Sequence, residues 1–141
     1  MGSRRKLGRK KVVKPRTSYG LANGSKLLIA DNSGAKIAKI INVDHRKTRQ
    51  RRLPMATVGD VCTVTVRKGK PELRGNLLKC VIVRQKRIYR RVDGTRLCFE
   101  DNAGVIITAD GDPKGTEIRG PIAREAAESF PRLASISSLI I

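Results

Sequence analysis

The apolar residues of this chain come in short bursts, and that spacing is what most narrows the choice of fold. Before residue 110 the runs are LLIA (27–30), AKIAKIINV (35–43), VGDVCTVTV (58–66), LLKCVIV (77–83) and GVIIT (104–108), all rich in Val, Ile and Leu. Runs of four to nine such residues suit strands. Cys62, Val64 and Val66 alternate with Thr63 and Thr65, the period-two pattern of a half-buried strand. Turn chemistry separates the runs at Asn32-Ser33-Gly34, Arg74-Gly75-Asn76, Asp93-Gly94 and Asn102-Ala103-Gly104. Asp93-Gly94 predicts a tight primed turn joining IYRRV (88–92) to TRLCF (95–99).

Several strands at this spacing predict a mainly β fold, a small closed barrel of about five or six strands, because closure removes exposed edges. The length of 141 residues suits one domain, and with no Trp, two Tyr and two Phe its core must be built from Val, Ile, Leu and Ala. The ending differs. After Gly120-Pro121, IAREAAES reads as a short helix with Pro121 in its first turn, an apolar face of Ile122, Ala126 and Phe130, and Pro131 as its stop, so that about 120–135 is helical.

Charge then narrows the function. The net charge is +19. So large an excess in so short a chain favours a polyanionic partner, whose bound counterions are released on contact. Residues 1–92 hold 26 basic and four acidic residues, a net +22, whereas residues 93–141 hold five basic and eight acidic, a net −3. One chain thus offers a polyanion-facing part and a near-neutral part suited to protein contacts. Residues 1–19 lack apolar periodicity and predict a disordered basic arm, with Arg4, Arg5, Lys6, Arg9, Lys10 and Lys11 as its RNA contacts; these clusters also resemble a nuclear import signal. The barrel domain is then 20–141.

Three further basic segments stand out. HRKTRQRR (45–52) carries Arg46, Lys47, Arg49, Arg51 and Arg52; RKGKPELR (67–74) carries Arg67, Lys68, Lys70 and Arg74; RQKRIYRR (84–91) carries Arg84, Lys86, Arg87, Arg90 and Arg91. Gathered at one end of a rigid barrel, such loops hold guanidinium forks in place for phosphate, a positioning that a flexible arm cannot provide. Tyr89, among these cations, is equally suited to stacking on an unpaired base and to covering the barrel edge. With so few aromatics, contact with folded RNA through backbone and shape fits better than a base-stacking platform.

No catalytic set emerges. His45 is the one histidine and has no nucleophile and carboxylate at recognisable spacing. Asp110 and Asp112 lack the calcium-loop spacing and read as a turn. Cys62, Cys80 and Cys98 form no metal-binding pair and read as small buried hydrophobes in a reducing compartment. No cofactor or metal is expected. No apolar run approaches the roughly 18 residues of a membrane helix, so no membrane partner is expected either. A free-standing RNA-binding barrel acting as a translation factor is the rival reading; a nuclease lacks the carboxylate cluster for two metals.

Certain blocks also carry a family likeness. ADNSGAK (30–36), VGD (58–60), VIVRQ (81–85), DGTRLCFEDNAGVII (93–107) and GPIAREAAESFPRLAS (120–135) resemble the universal large-subunit ribosomal protein fourteen family, in order, from about residue 20 onward. The spacing of Asp93-Gly94, Phe99, Asn102 and Val105-Ile106 resembles the family signature. Cys80 departs from it, standing where Gly or Ala is usual, and Ile136-Ser137-Ser138 departs from the family's usual tail. The basic arm and the C-terminal wording are similar to the archaeal and eukaryotic cytosolic branch, with the arm's length on the eukaryotic side.

The resemblance implies a five-stranded barrel with a small C-terminal helical part, a structural constituent of the large ribosomal subunit bound to large-subunit ribosomal RNA near the subunit interface. It also implies bridges to small-subunit ribosomal RNA and contact with neighbouring ribosomal proteins, including ribosomal protein three. Residues 121–135 would dock a subunit anti-association factor, initiation factor six, with Arg124, Glu125, Glu128 and Phe130 as protein contacts. The protein would work in the cytoplasm on ribosomes, passing through the nucleus and nucleolus for assembly in a eukaryotic cell.

Overall fold

The computed structural model describes residues 17–46 and 48–141. Its elements in chain order are β1 (Leu21–Ala22), β2 (Lys26–Ile29), β3 (Ala35–Val43), β4 (Met55–Ala56), β5 (Val61–Gly69), β6 (Leu77–Arg84), β7 (Tyr89–Arg90), β8 (Arg96–Leu97), β9 (Ala103–Ile107) and β10 (Ile118–Ile122), then α1 (Arg124–Ser129), α2 (Pro131–Ile136) and β11 (Ser137–Ile140). The expected barrel is present. Its five strands close in the order β2-β3-β5-β6-β9, antiparallel throughout except where β9 meets β2 in parallel.

The apolar runs explain which strands lie where. In β5, Cys62, Val64 and Val66 are buried, and their neighbours Thr63 and Thr65 retain some exposure. The runs in β6 and β9 are continuous, and Cys80–Arg84 and Ala103–Ile107 are buried without a break. Continuous burial requires cover on both faces. The C-terminal unit provides it: Ala123 N–H donates to the Val83 carbonyl at 3.0 Å and Arg119 N–H to the Ala30 carbonyl at 2.7 Å. Ile118, Ile122, Ala126 and Leu133 join the core with Val83 and Val105.

Gly104 shows how tightly the barrel closes. A Cβ there would stand 2.4 Å from Cys80 Sγ and 3.2 Å from the Val81 carbonyl oxygen. Gly104→Ala should therefore destabilise the fold by about 1–3 kcal/mol through overpacking. Urea denaturation checks this, and an unchanged midpoint would mean that β9 can shift outward at no cost.

Several local expectations are corrected. The Asp93-Gly94 turn is not a two-residue primed turn, either type of which needs positive φ at its first central residue. Gly94 has φ 88°, whereas Asp93 is absent from the left-handed region. Gly94 N–H donates to the Arg91 carbonyl and Arg91 N–H to the Thr95 carbonyl, a three-residue loop ahead of the β7–β8 pair. The Asp93 carboxylate accepts from Thr95 N–H at 2.9 Å, which holds its pKa below the usual carboxylate value.

Pro121 lies in a strand and not in a helix, because β10 pairs in parallel with β11. Ile122, expected on the helix face, belongs to that strand as well. Pro131 does not end the helical part; it opens α2, where its missing N–H costs nothing. Cys62 and Cys80 are buried as expected, but Cys98 is exposed. Burial pushes the Cys62 thiol up to about 12 and the Cys80 thiol well above its ordinary value, so both stay protonated and unreactive.

Candidate nucleic-acid interface

The barrel topology sorts the basic segments between its two ends. β3 runs into 44–60 at the end where β2 and β9 begin and β6 stops; the turns 30–34, 70–76 and 108–117 close the other end. The segments 45–52 and 84–91 therefore share one end, while 67–74 lies at the opposite one, about 26 Å away along the nine residues of β5. They do not form one cluster as expected. The arm's root shares the first end: Gly20 N–H donates to the Ala56 carbonyl at 3.1 Å, Gln85 Nε2 to the Ser18 carbonyl at 2.9 Å and Arg87 Nη1 to the Tyr19 carbonyl at 2.9 Å. Lys47 and the arm residues Arg4, Arg5, Lys6, Arg9, Lys10 and Lys11 lie outside the described residues.

At that end the cations divide by their surroundings. Arg49, Arg51 and Arg52 are exposed on a loop that folds on itself, with Arg52 N–H donating to the Arg49 carbonyl and Thr48 Oγ1 to the Arg52 carbonyl at 2.8 Å. Among the described residues, the two non-glycine positions with positive φ are both here, His45 at 59° and Arg51 at 66°. That conformation costs about 1–2 kcal/mol per residue, so the loop holds its shape against a local penalty. Lys86, Arg87 and Arg90 are also exposed.

Three of the expected RNA contacts are committed within the protein instead. Arg84 is buried: it grips Asp101 with Nε and Nη2 at 2.8 and 3.1 Å and donates through Nη1 to the carbonyls of Arg119 and Pro121 at 3.0 and 2.9 Å. Arg91 pairs with Glu125 at 2.7 Å and also reaches the Ile141 carbonyl. Burial alone would lower its pKa, but the Glu125 partnership outweighs this and raises it. Arg46 bonds to Asp60 at 2.8 Å and lies over the Tyr19 ring, 4.8 Å from its centre.

Tyr89 resolves its two readings in favour of the core. It is 1% exposed, its hydroxyl donates to Glu125 Oε2 at 3.3 Å, and burial followed by the Glu125 charge pushes its pKa up to about 12. It offers no stacking surface. Of the four protein-contact residues, Arg124 and Glu128 are exposed, Glu125 is engaged by Arg91 and Tyr89, and Phe130 packs partly against the core. The sequence reading missed Arg96. It lies directly across from Arg90 in the β7–β8 pair, and both are exposed.

At the other end Arg67, Lys68, Lys70 and Arg74 are all exposed. The Asp110–Asp112 loop there is a turn, as expected: Thr108 N–H donates to the Asp112 carbonyl at 2.7 Å, and the Asp112 carboxylate is taken by Arg132. Among the described residues no group of three or more His, Cys, Asp or Glu is placed to hold a metal ion. No helix among them is long and apolar enough to cross a membrane.

Comparison with known proteins matches residues 20–141 to the model of the family described as ribosomal protein L14p/L23e. The chain belongs to that family. Relatives named large ribosomal subunit protein uL14 are 53% identical in Thermofilum pendens, over 86% of each chain, and 52% identical in Nitrosopumilus maritimus, over 84% of each. A third, in Sulfurisphaera tokodaii, is 52% identical over 96% of this chain and 95% of its own. As a member of a ribosomal-protein family, the chain is a structural component and not an enzyme.

Of the residues that carried the family likeness, Phe99, Asn102, Val105 and Ile106 help to close the barrel beside the exposed Lys86. Phe99 N–H donates to the Gln85 carbonyl at 3.0 Å, Asn102 accepts from Lys86 N–H at 2.8 Å through its side chain and from Leu28 N–H at 3.0 Å through its carbonyl, and Val105 and Ile106 are buried. Together they return the 85–102 excursion into β9.

Proposed function

We propose that this chain is a structural constituent of the large ribosomal subunit, and that it binds large-subunit ribosomal RNA through the barrel end bearing Arg49, Arg51, Arg52, Lys86, Arg87, Arg90 and Arg96. The observation that carries this is the meeting of family membership with an exposed cationic loop and the root of a +8 arm at one end. Phosphate contact suits such a loop, because the side chains of Arg49, Arg51 and Arg52 are exposed and have no ion-pair partner among the described residues. Residues 1–19 act as a basic arm on the barrel domain of 20–141, adding affinity to the register set by the loop.

The second basic end, with Arg67, Lys68, Lys70 and Arg74, is free to meet small-subunit ribosomal RNA across the interface. Ribosomal protein three is a neighbour in this reading. The near-neutral C-terminal part, through Arg124 and Glu128, takes an anti-association factor of the initiation factor six kind. The protein works in the cytoplasm on ribosomes; in a eukaryotic cell it enters the nucleus for assembly.

Sucrose-gradient sedimentation of tagged protein, after magnesium depletion separates the subunits, tests this. Recovery with the large subunit through a moderate salt wash is expected. Recovery as free protein would favour a dissociable translation factor, and recovery with the small subunit would overturn the assignment.

A further inference from the structure

We propose that the outer wall formed by β2 and β3 is a second phosphate-contact surface, centred on Lys26 and Lys39. This rests on the ribosomal RNA reading above and adds a contact that neither barrel end includes. The two lysines are register partners on adjacent antiparallel strands, so their side chains leave the same face. One step along, Gly24 N–H donates to the Ile40 carbonyl at 2.8 Å and Ile40 N–H to the Ser25 carbonyl at 2.9 Å. The lysine pair is then a non-hydrogen-bonded one, with Cα atoms about 4.5 Å apart, the closer of the two spacings in an antiparallel ladder. Like charges directly opposite destabilise the strand pair.

A carboxylate on the wall would cancel that repulsion, as it does further along: Lys79 Nζ is 2.6 Å from Asp44 Oδ2 and 2.9 Å from Thr63 Oγ1. The four carboxylates of residues 20–92 are engaged elsewhere or far away, and Asp101, just ahead of β9 beside β2, is taken by Arg84. Asp31 is buried and accepts from Ser33 and Ile106 N–H; Asp44 faces Lys79; Asp60 accepts from Thr57 N–H and Arg46; Glu72 sits in the turn at the far end. Among the described residues no ion pair reaches Lys26 or Lys39, so a phosphate from outside is suited to supply the counter-charge.

Past the apolar Leu28–Ile37 pair, the wall carries cations again towards the far end. β3 and β5 slip register between Ala35 and Ile37, and again between Ile37 and Ala38, leaving Lys36 and Arg67 as the extra, exposed residues. Bulges re-aim side chains out of the pleat. A nucleic-acid backbone lying along the wall meets Lys26 and Lys39 first, then Lys36 and Arg67. An acidic protein would supply scattered carboxylates, whereas this run of cations matches the regular charge of a phosphate chain.

The test pairs stability with binding in the full chain. Lys39→Glu turns the repelling pair into an attracting one, so the free protein should melt at a higher temperature. Its affinity for ribosomal RNA extracted from large subunits should nevertheless fall at least about tenfold, and the slope of log K against log salt should become shallower by about one or more. Lys26→Gln combined with Lys39→Gln, which introduces no new pair, should also raise the melting temperature and flatten the slope. A more stable Lys39→Glu that binds with wild-type affinity and slope would overturn the proposal while leaving the end-on RNA reading intact. A wild-type chain that fails to bind this RNA would overturn both.

Discussion

Replacing Arg49, Arg51 and Arg52 together with Glu is expected to abolish incorporation into large subunits while leaving the free protein as stable as before. Each reversal changes the interaction with a nearby phosphate by two charge units, at about 1 kcal/mol per unit at 4 Å in water. Three sites would give about 6 kcal/mol, and salt screening reduces this to about 4, or roughly a thousandfold in affinity. The salt slope should fall by about 0.7–0.9 for each lost phosphate contact.

The fold should tolerate the change because the three side chains are exposed and the loop is held by backbone and Thr48 bonds, which the substitutions keep. Glu meets the same left-handed penalty at position 51 as Arg does. Quantitative incorporation of the triple variant, scored by gradient sedimentation, would show that this loop faces solvent or touches only the small subunit. RNA contact would then pass to the arm and the far end.

The strand runs were readable because burial on one face imposes period two and burial on both imposes a continuous run, as in β5 and in β6 with β9. The C-terminal parallel pair was not readable. In Gly120-Pro121-Ile122, the proline reads as a helix start, and only the return of Leu139 and Ile140 alongside Pro121 and Ile122 makes it a strand. The site was legible as composition and not as geometry. The fourteen cations of the three basic segments look alike on paper, yet Arg84 and Arg91 find Asp101 and Glu125, 17 and 34 positions away, and leave the surface. Lys26 and Lys39, and likewise Arg90 and Arg96, become notable only once strand register places them opposite one another.

Arg84→Ala should be among the most damaging single substitutions, and its damage should appear in the free protein before any RNA is added. The guanidinium makes four hydrogen bonds, two to Asp101 and one each to the carbonyls of Arg119 and Pro121, and so ties the end of β6 to β10. Removing one partner of such a buried pair leaves a carboxylate and two carbonyls unsatisfied, which costs about 3–5 kcal/mol. Partial exposure of Asp101 favours the lower end of that range. Arg84→Lys should recover only part of the loss, since an ammonium group cannot reproduce the fork that spans Asp101 and two carbonyls. Hydrogen exchange locates the effect: the Arg124 and Ile141 amides, bonded to the Ile141 and Ile122 carbonyls, should lose protection before the β3–β5 ladder does. Were Arg84 instead a phosphate contact, Arg84→Ala would keep wild-type stability and exchange and lose only affinity for RNA. That result would return Arg84 to the interface and leave the docking of the C-terminal unit to the apolar contacts of Ile118, Ile122 and Ala126 with the barrel.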